Sequence, residues 1–239
     1  MTKSPFHLLL GILLLAAGLT ACTGENTTDA TTEGDQTEES AEAKTVANTE
    51  TEEVEMTGLQ VGDEAPFFNL KNVDGNMYSF DNIKDANGET PKGFIVTFTC
   101  NTCPYAQGYE DRIIALHNKL SPMGYPVVAI QPNDPEIKPE DGFAAMQARV
   151  AEKNIPYLYL LDDGQEIYPQ YGASRTPEVY LVDADRVVRY HGAIDDNAQD
   201  PEAVSINYVE AAVTAVEEGR DPDPADVKAI GCTIKAKRI

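Results

Sequence analysis

Eleven residues, Phe94-Ile-Val-Thr-Phe-Thr-Cys100-Asn-Thr-Cys103-Pro104, constrain this chain more than any others. An apolar, β-branched run suited to a doubly covered central strand ends in Cys-x-x-Cys. Beyond it Tyr105, Tyr109, Ile113, Leu116 and Leu120 recur at three- and four-residue spacing, which predicts a helix with one buried face. Two thiols at a strand-to-helix turn can close a small disulfide ring, and a helix N-terminus favours a nearby thiolate. The order of the pair makes Cys100 the exposed attacking thiol and Cys103, one turn in, the more buried resolving thiol. Pro104 is tolerated in a first helical turn, where its missing N–H is not needed. A structural zinc site would require a second Cys or His pair at matching spacing. The chain offers only Cys232 and scattered histidines, so the redox reading is the stronger one.

The ends of the chain have a different character. Met1 to His7 is a short basic stretch, and Leu8 to Leu19 is an apolar run too short to make a comfortable permanent span. It leads into Leu19-Thr20-Ala21-Cys22, which resembles the bacterial lipobox, where cleavage precedes a cysteine that carries diacylglycerol. That resemblance implies a signal peptide over residues 1–21, lipid on Cys22 and an exported protein anchored to a membrane. From Thr23 to Thr57 eleven acidic residues face a single base, Lys44, with almost nothing apolar. Residues 22–57 are therefore expected to form a disordered, self-repelling acidic tether. The net charge of −22 excludes nucleic acid as a partner, because phosphates would be repelled.

Residues 58–239 read as one domain. Phe68–Leu70 and Met77–Phe80 flank Asp74-Gly75, a hairpin signal. Strands are expected at Phe94–Thr99, Tyr125–Gln131 and Tyr157–Leu161, and a closing hairpin at Glu178–Val182 and Arg186–Tyr190. Helices are expected from Cys103 to Leu120, after a cap at Asp141, in a short piece to Tyr171, and from Glu202 to Glu217; Gly231–Lys235 can add a strand. Alternating units give an α/β domain whose mixed β-sheet is flanked by helices, with an N-terminal β-hairpin.

That order, with Cys-x-x-Cys between the first core strand and its helix, resembles the thioredoxin superfamily. Asp63-Glu-Ala-Pro66-Phe-Phe-Asn-Leu70 is similar to the opening of redoxins of the alkyl hydroperoxide reductase/thiol-specific antioxidant type. Cys103-Pro-Tyr, Tyr190-His-Gly-Ala-Ile-Asp-Asp196 and Gly231-Cys-Thr-Ile-Lys235 look most like the peroxiredoxin-like group of these. The resemblance implies a thioredoxin-like fold and a thiol–disulfide oxidoreductase whose redox group is a Cys100–Cys103 disulfide, with no organic cofactor and no metal. Its partner would be a dithiol or disulfide protein. Ser174-Arg175-Thr176-Pro177 resembles the loop that carries the superfamily's cis-proline, with Thr176 presenting backbone groups to a substrate strand. Arg175 beside it could lower a thiol pKa, hold an anionic substrate, or be a solvated charge.

The resemblance leaves two other activities open. In true peroxiredoxins a Thr precedes the peroxide-reactive Cys by three residues; here Cys103-Pro104 matches that Cys-Pro and Cys100 takes the Thr position, so peroxide reduction at Cys103 is the enzymatic alternative. Thioredoxin-fold copper chaperones use two cysteines and a distant histidine, which makes Cys100, Cys103 and His191 an alternative copper set. Cys232 is read either as a small buried hydrophobe or as a third redox thiol that relays with Cys100. Glu110 and Arg112 read as surface or supporting helix residues, and His117 as structural.

Overall fold

The computed structural model describes residues 58–237. The expected signal peptide, Cys22 and the acidic tether lie outside them. Among the described residues no helix is long and apolar enough to cross a membrane.

The chain begins with the expected hairpin, β1 (Leu70–Asn72) and β2 (Met77–Tyr78), and then runs β3 (Gly93–Phe98), α1 (Pro104–Leu120), β4 (Val127–Gln131), α2 (Phe143–Lys153) and β5 (Leu158–Leu161). A short α3 (Ile167–Tyr171), β6 (Arg175–Thr176), β7 (Glu178–Asp183) and β8 (Val188–Gly192) follow. The last elements are α4 (Tyr208–Glu217), β9 (Asp226–Val227) and β10 (Cys232–Thr233). Eight strands make one sheet in the order β2-β1-β5-β4-β3-β7-β8-β9, and β6 pairs separately with β10. β3, β4 and β5 are parallel, whereas β7 is antiparallel to both β3 and β8. This is the mixed, thioredoxin-like sheet that the sequence predicts.

Every residue of β3 is buried, and the two-residue period of a strand divides them between two cores. Ile95 faces the layer of α1, α2 and α4, where it meets Tyr109, Ile113, Met146, Val209 and Val213. Phe94, Val96 and Phe98 face the opposite side with Phe68, Phe80, Tyr171 and Tyr180. Phe98 lies edge-on to both Tyr171 and Tyr180, at ring-centroid distances of 5.2 and 6.0 Å. A strand covered on both faces has one register and one exit point. The Cys-x-x-Cys turn begins two residues past its end.

Three expectations are corrected. The last helix starts at Tyr208 instead of Glu202: Pro201–Ala203 form a separate 3₁₀ turn capped by Asp200, and the Ser205 amide is drawn off to Asp196. Asp141 does not cap α2, whose N-cap is Gly142 without a side-chain bond. The extended tail also supplies an unforeseen parallel edge strand, β9, against β8. Gly192 permits that approach: at its φ of +132° a Cβ would lie 1.6 Å from the Val227 carbonyl oxygen.

Candidate active site

Cys103 is the N-cap of α1, with extended backbone, and Cys100 closes the turn leaving β3. Both thiols meet Thr176, the residue before the cis bond to Pro177. The Cys100 sulfur is 3.3 Å from the Thr176 hydroxyl, and the Cys103 thiol donates to the Thr176 carbonyl at 3.1 Å. Thr176 itself is buried. The structure thus brings together Cys100, Cys103, Thr176 and Pro177, and the proline is cis as the resemblance implied. The expected contrast in exposure is absent: Cys100 is 5% exposed and Cys103 3%.

The backbone edge of Thr176 does not stand open for a substrate strand. The chain's own β10 pairs with β6 antiparallel, placing Cys232 opposite Thr176 and Thr233 opposite Arg175. Arg175 reaches over this pair to the Gly231 carbonyl at 3.1 Å, so it ties the tail to the loop. Cys232 is half-buried and packs against the cluster of Cys100, Cys103 and Ala106. Its thiol neighbour is Cys103, not the expected Cys100.

The turn between the cysteines is held from below by Asp141, which is fully buried. One of its carboxylate oxygens accepts the backbone N–H groups of Asn101 (2.8 Å) and Thr102 (3.0 Å). The other accepts the Thr102 hydroxyl (2.8 Å) and the Asn133 side-chain amide (2.8 Å). Sequence reasoning missed this role. The signal was the polar Asn101-Thr102 insert, whose amides needed an acceptor once the turn was buried.

A second buried acid, Glu178, braces the other wall. It accepts the backbone N–H groups of Ser174 (2.8 Å) and Arg175 (2.9 Å) with one oxygen and contacts His191 Nε2 (2.8 Å) with the other. His191 Nδ1 is 2.8 Å from Asp226, and its ring stacks on Tyr180. Both ring nitrogens are therefore committed to carboxylates, and the copper set of Cys100, Cys103 and His191 is not assembled. The sequence signal for Glu178 was a charged residue opening an otherwise apolar strand. Glu110 is buried, not on the surface, and pairs with Arg149 at 2.8 Å. Arg112 pairs with buried Asp195 at 2.7 Å. His117 accepts the Val127 N–H at 3.2 Å, the structural role expected of it.

The two thiols of the pair are electrostatically unequal. The Cys100 thiol pulls the Cys103 pKa well below the ordinary thiol value. Burial pushes it up, and the Cys232 thiol together with the N–H groups of Ala106 and Cys232 draws it further down. The Thr176 carbonyl also works against the thiolate, but it is one acceptor against several donors. Cys100 is raised, first by its coupling to Cys103 and then by burial, with the Asp141 carboxylate adding to both. The N-cap position at the start of α1 favours the thiolate of the pair on Cys103, whereas the motif order alone gives the attacking role to Cys100.

The family described as AhpC/TSA matches residues 61–191. The chain belongs to the AhpC/TSA family. A crystal structure of an uncharacterized conserved protein from Geobacillus kaustophilus is 33% identical, covering 74% of this chain and 93% of its own, with a TM-score of 0.68. A hypothetical protein from Sinorhizobium meliloti 1021 is 30% identical, covering 75% of this chain and 96% of its own, also at 0.68. Thiol-disulfide oxidoreductase ResA of Bacillus thuringiensis is 24% identical over 127 residues, 53% of this chain. The chain matches 66% of the length of that relative. The AhpC/TSA match ends at His191, before the segment that carries Cys232.

Asp141→Asn puts an amide N–H₂ where a donor now binds, and should cost about 2–4 kcal/mol in urea denaturation. Amide exchange of Asn101 and Thr102 should accelerate while β4 stays protected. His191 gives a pH dependence of known sign. Burial opposes its charge, but the hydrogen bonds and charges of Glu178 and Asp226 outweigh burial and raise its pKa above 6.5. The stabilisation is fully present below the unfolded-state pKa and is lost as pH rises through the folded one. The stability difference between the protein and His191→Gln should therefore be largest at mildly acidic pH and shrink as pH rises above about 6.5. A nuclear magnetic resonance titration should give a His191 midpoint above 6.5.

Proposed function

We propose that this AhpC/TSA-family chain is a thiol–disulfide oxidoreductase working through Cys100 and Cys103. The observation that carries the reading is the placement of both sulfurs on Thr176 beside the cis-proline, with the thiolate favoured at the start of α1. The Cys103 thiolate attacks a substrate disulfide, and the substrate's first sulfur leaves as a thiolate that takes up a proton. Cys100 then gives up its proton and attacks Cys103 in the mixed disulfide. This releases the second substrate thiol and leaves a Cys100–Cys103 disulfide, which a partner dithiol reduces again. The raised pKa of Cys100 suits this order, because the second thiol keeps its proton until it is needed.

The name of the ResA relative supports the same chemistry. Peroxide reduction has less support: the Thr hydroxyl that would orient peroxide is replaced by the Cys100 thiol, a poor substitute. Export and attachment to a membrane through lipid on Cys22 belong to the proposal, and rest on the apolar run and the Leu19–Cys22 tetrad.

In dithiothreitol-driven insulin reduction, Cys103→Ser should lower turnover by at least roughly a hundredfold. Turnover near the wild-type rate in that variant would contradict the proposal. Stopped-flow mixing with hydrogen peroxide should give a rate close to that of a free thiol, and a far faster rate would favour the peroxidase.

A further inference from the structure

The tail that carries Cys232 is anchored on both sides. Gly231 lets it approach: a Cβ there would sit 2.3 Å from the Thr176 carbonyl oxygen and 3.1 Å from the Pro177 nitrogen. Ile234 is buried in the core on the α3 side of the sheet. The Lys235 backbone N–H bonds the Asn133 side chain (2.8 Å), and its carbonyl accepts from Asp134 N (2.9 Å) and Gln165 Nε2 (2.9 Å). Cys232 is thus placed as firmly as a core residue while remaining half-exposed. A cysteine serving only as a small hydrophobe would gain little from a half-buried position beside two other thiols.

β10 also lies where the resemblance puts a substrate strand, antiparallel to the residue before the cis-proline. It presents a cysteine there, as a substrate would. Cys100 and Cys103 are nearly sealed from solvent. Cys232 lies nearer the surface than either, so it is the sulfur of the three that a protein dithiol meets first.

We propose that Cys232 is a third redox thiol, which carries the disulfide of the buried pair outward as a Cys103–Cys232 bond. This rests on the thiol–disulfide reading above. The Cys232 thiolate attacks the Cys103 sulfur of the Cys100–Cys103 disulfide; that bond breaks, and Cys100 leaves and takes up the proton lost by Cys232. The step is an isomerisation with no net redox change. A partner protein's dithiol then attacks the half-buried Cys232 sulfur and displaces Cys103 as a thiolate. The partner's second thiol resolves the mixed disulfide and frees Cys232, so the partner is oxidised by two electrons and this chain is reduced. Burial and the neighbouring Cys103 thiolate raise the Cys232 pKa in the reduced chain against the pull of Lys235 and the Tyr105 N–H, and closing the Cys100–Cys103 disulfide removes that opposing charge before the first step.

The test is peptide mapping by mass spectrometry of the full chain, equilibrated in a glutathione redox buffer and quenched with acid. The wild type should yield both Cys100–Cys103 and Cys103–Cys232 linked peptides, and Cys100→Ser should yield the Cys103–Cys232 link almost completely. Cys232→Ala should keep its circular dichroism spectrum and form the Cys100–Cys103 link, yet exchange with a protein dithiol about tenfold more slowly. The Cys100→Ser arm decides the matter should Cys232→Ala fail to fold. A Cys100–Cys103 link that forms and turns over, with no Cys232-linked peptide in either protein, overturns the relay and leaves the oxidoreductase reading standing. Cys103 joined to Cys232 with no Cys100–Cys103 link in the wild type would instead overturn the Cys-x-x-Cys reading.

Discussion

Removing a carboxylate from water costs several kcal/mol unless donors replace its hydration. Asp141 is fully buried, and the groups that meet it are the two amides and the hydroxyl of Asn101-Thr102 and the side chain of Asn133. The turn between the cysteines is the source of three of those bonds, so another turn conformation would strand the charge. Asn133 passes the constraint on. Its side-chain oxygen holds Lys235, and Gln131 beneath it bonds both the Asn133 and Asp141 carbonyls. One acid therefore fixes the redox turn and, through a single amide, the tail that carries Cys232.

The opposite wall follows the same logic. Glu178 accepts the amides of Ser174 and Arg175, and His191, held on its other nitrogen by Asp226, bonds the second Glu178 oxygen. Thr176 lies between the turn that Asp141 holds and the loop that Glu178 braces. Its hydroxyl and carbonyl can then meet different sulfurs, and the pair becomes unequal. A thiolate at Cys103 has a helix N-terminus and neighbouring thiol donors around it, while Cys100 faces burial and the field of Asp141. Family membership alone would not predict that inequality, because it arises from how this turn is held.

The sheet was legible because its signals are local. The run at Phe94 to Thr99, the helical spacing from Tyr105 to Leu120 and the Thr176-Pro177 pair each dictate their own structure. The site's supports were not legible, since each depends on partners distant in sequence. Asp141 reads as a helix cap when viewed beside Phe143, and only the fold brings it under Asn101, 40 residues away. Glu202 to Asn207 has the composition of a helix, but Asp196 and Asp200 take its amides first. The assignment of Cys100 as the reactive thiol followed position in the motif, which carries no information about what surrounds each sulfur. Cys232 reads in sequence as either a small hydrophobe or a thiol that relays with Cys100, and only the β6–β10 register sets it opposite Thr176, beside Cys103.

The claim on which the rest depends is that the thiolate of the reduced pair resides on Cys103. Brief alkylation of the reduced chain with iodoacetamide across a range of pH, followed by site-resolved mass spectrometry, reads it directly. Cys103 should be labelled before Cys100 at every pH below the ordinary thiol range, with a midpoint under about 8.5. Cys100 labelled first, with Cys103 unmodified until alkaline pH, would contradict the account.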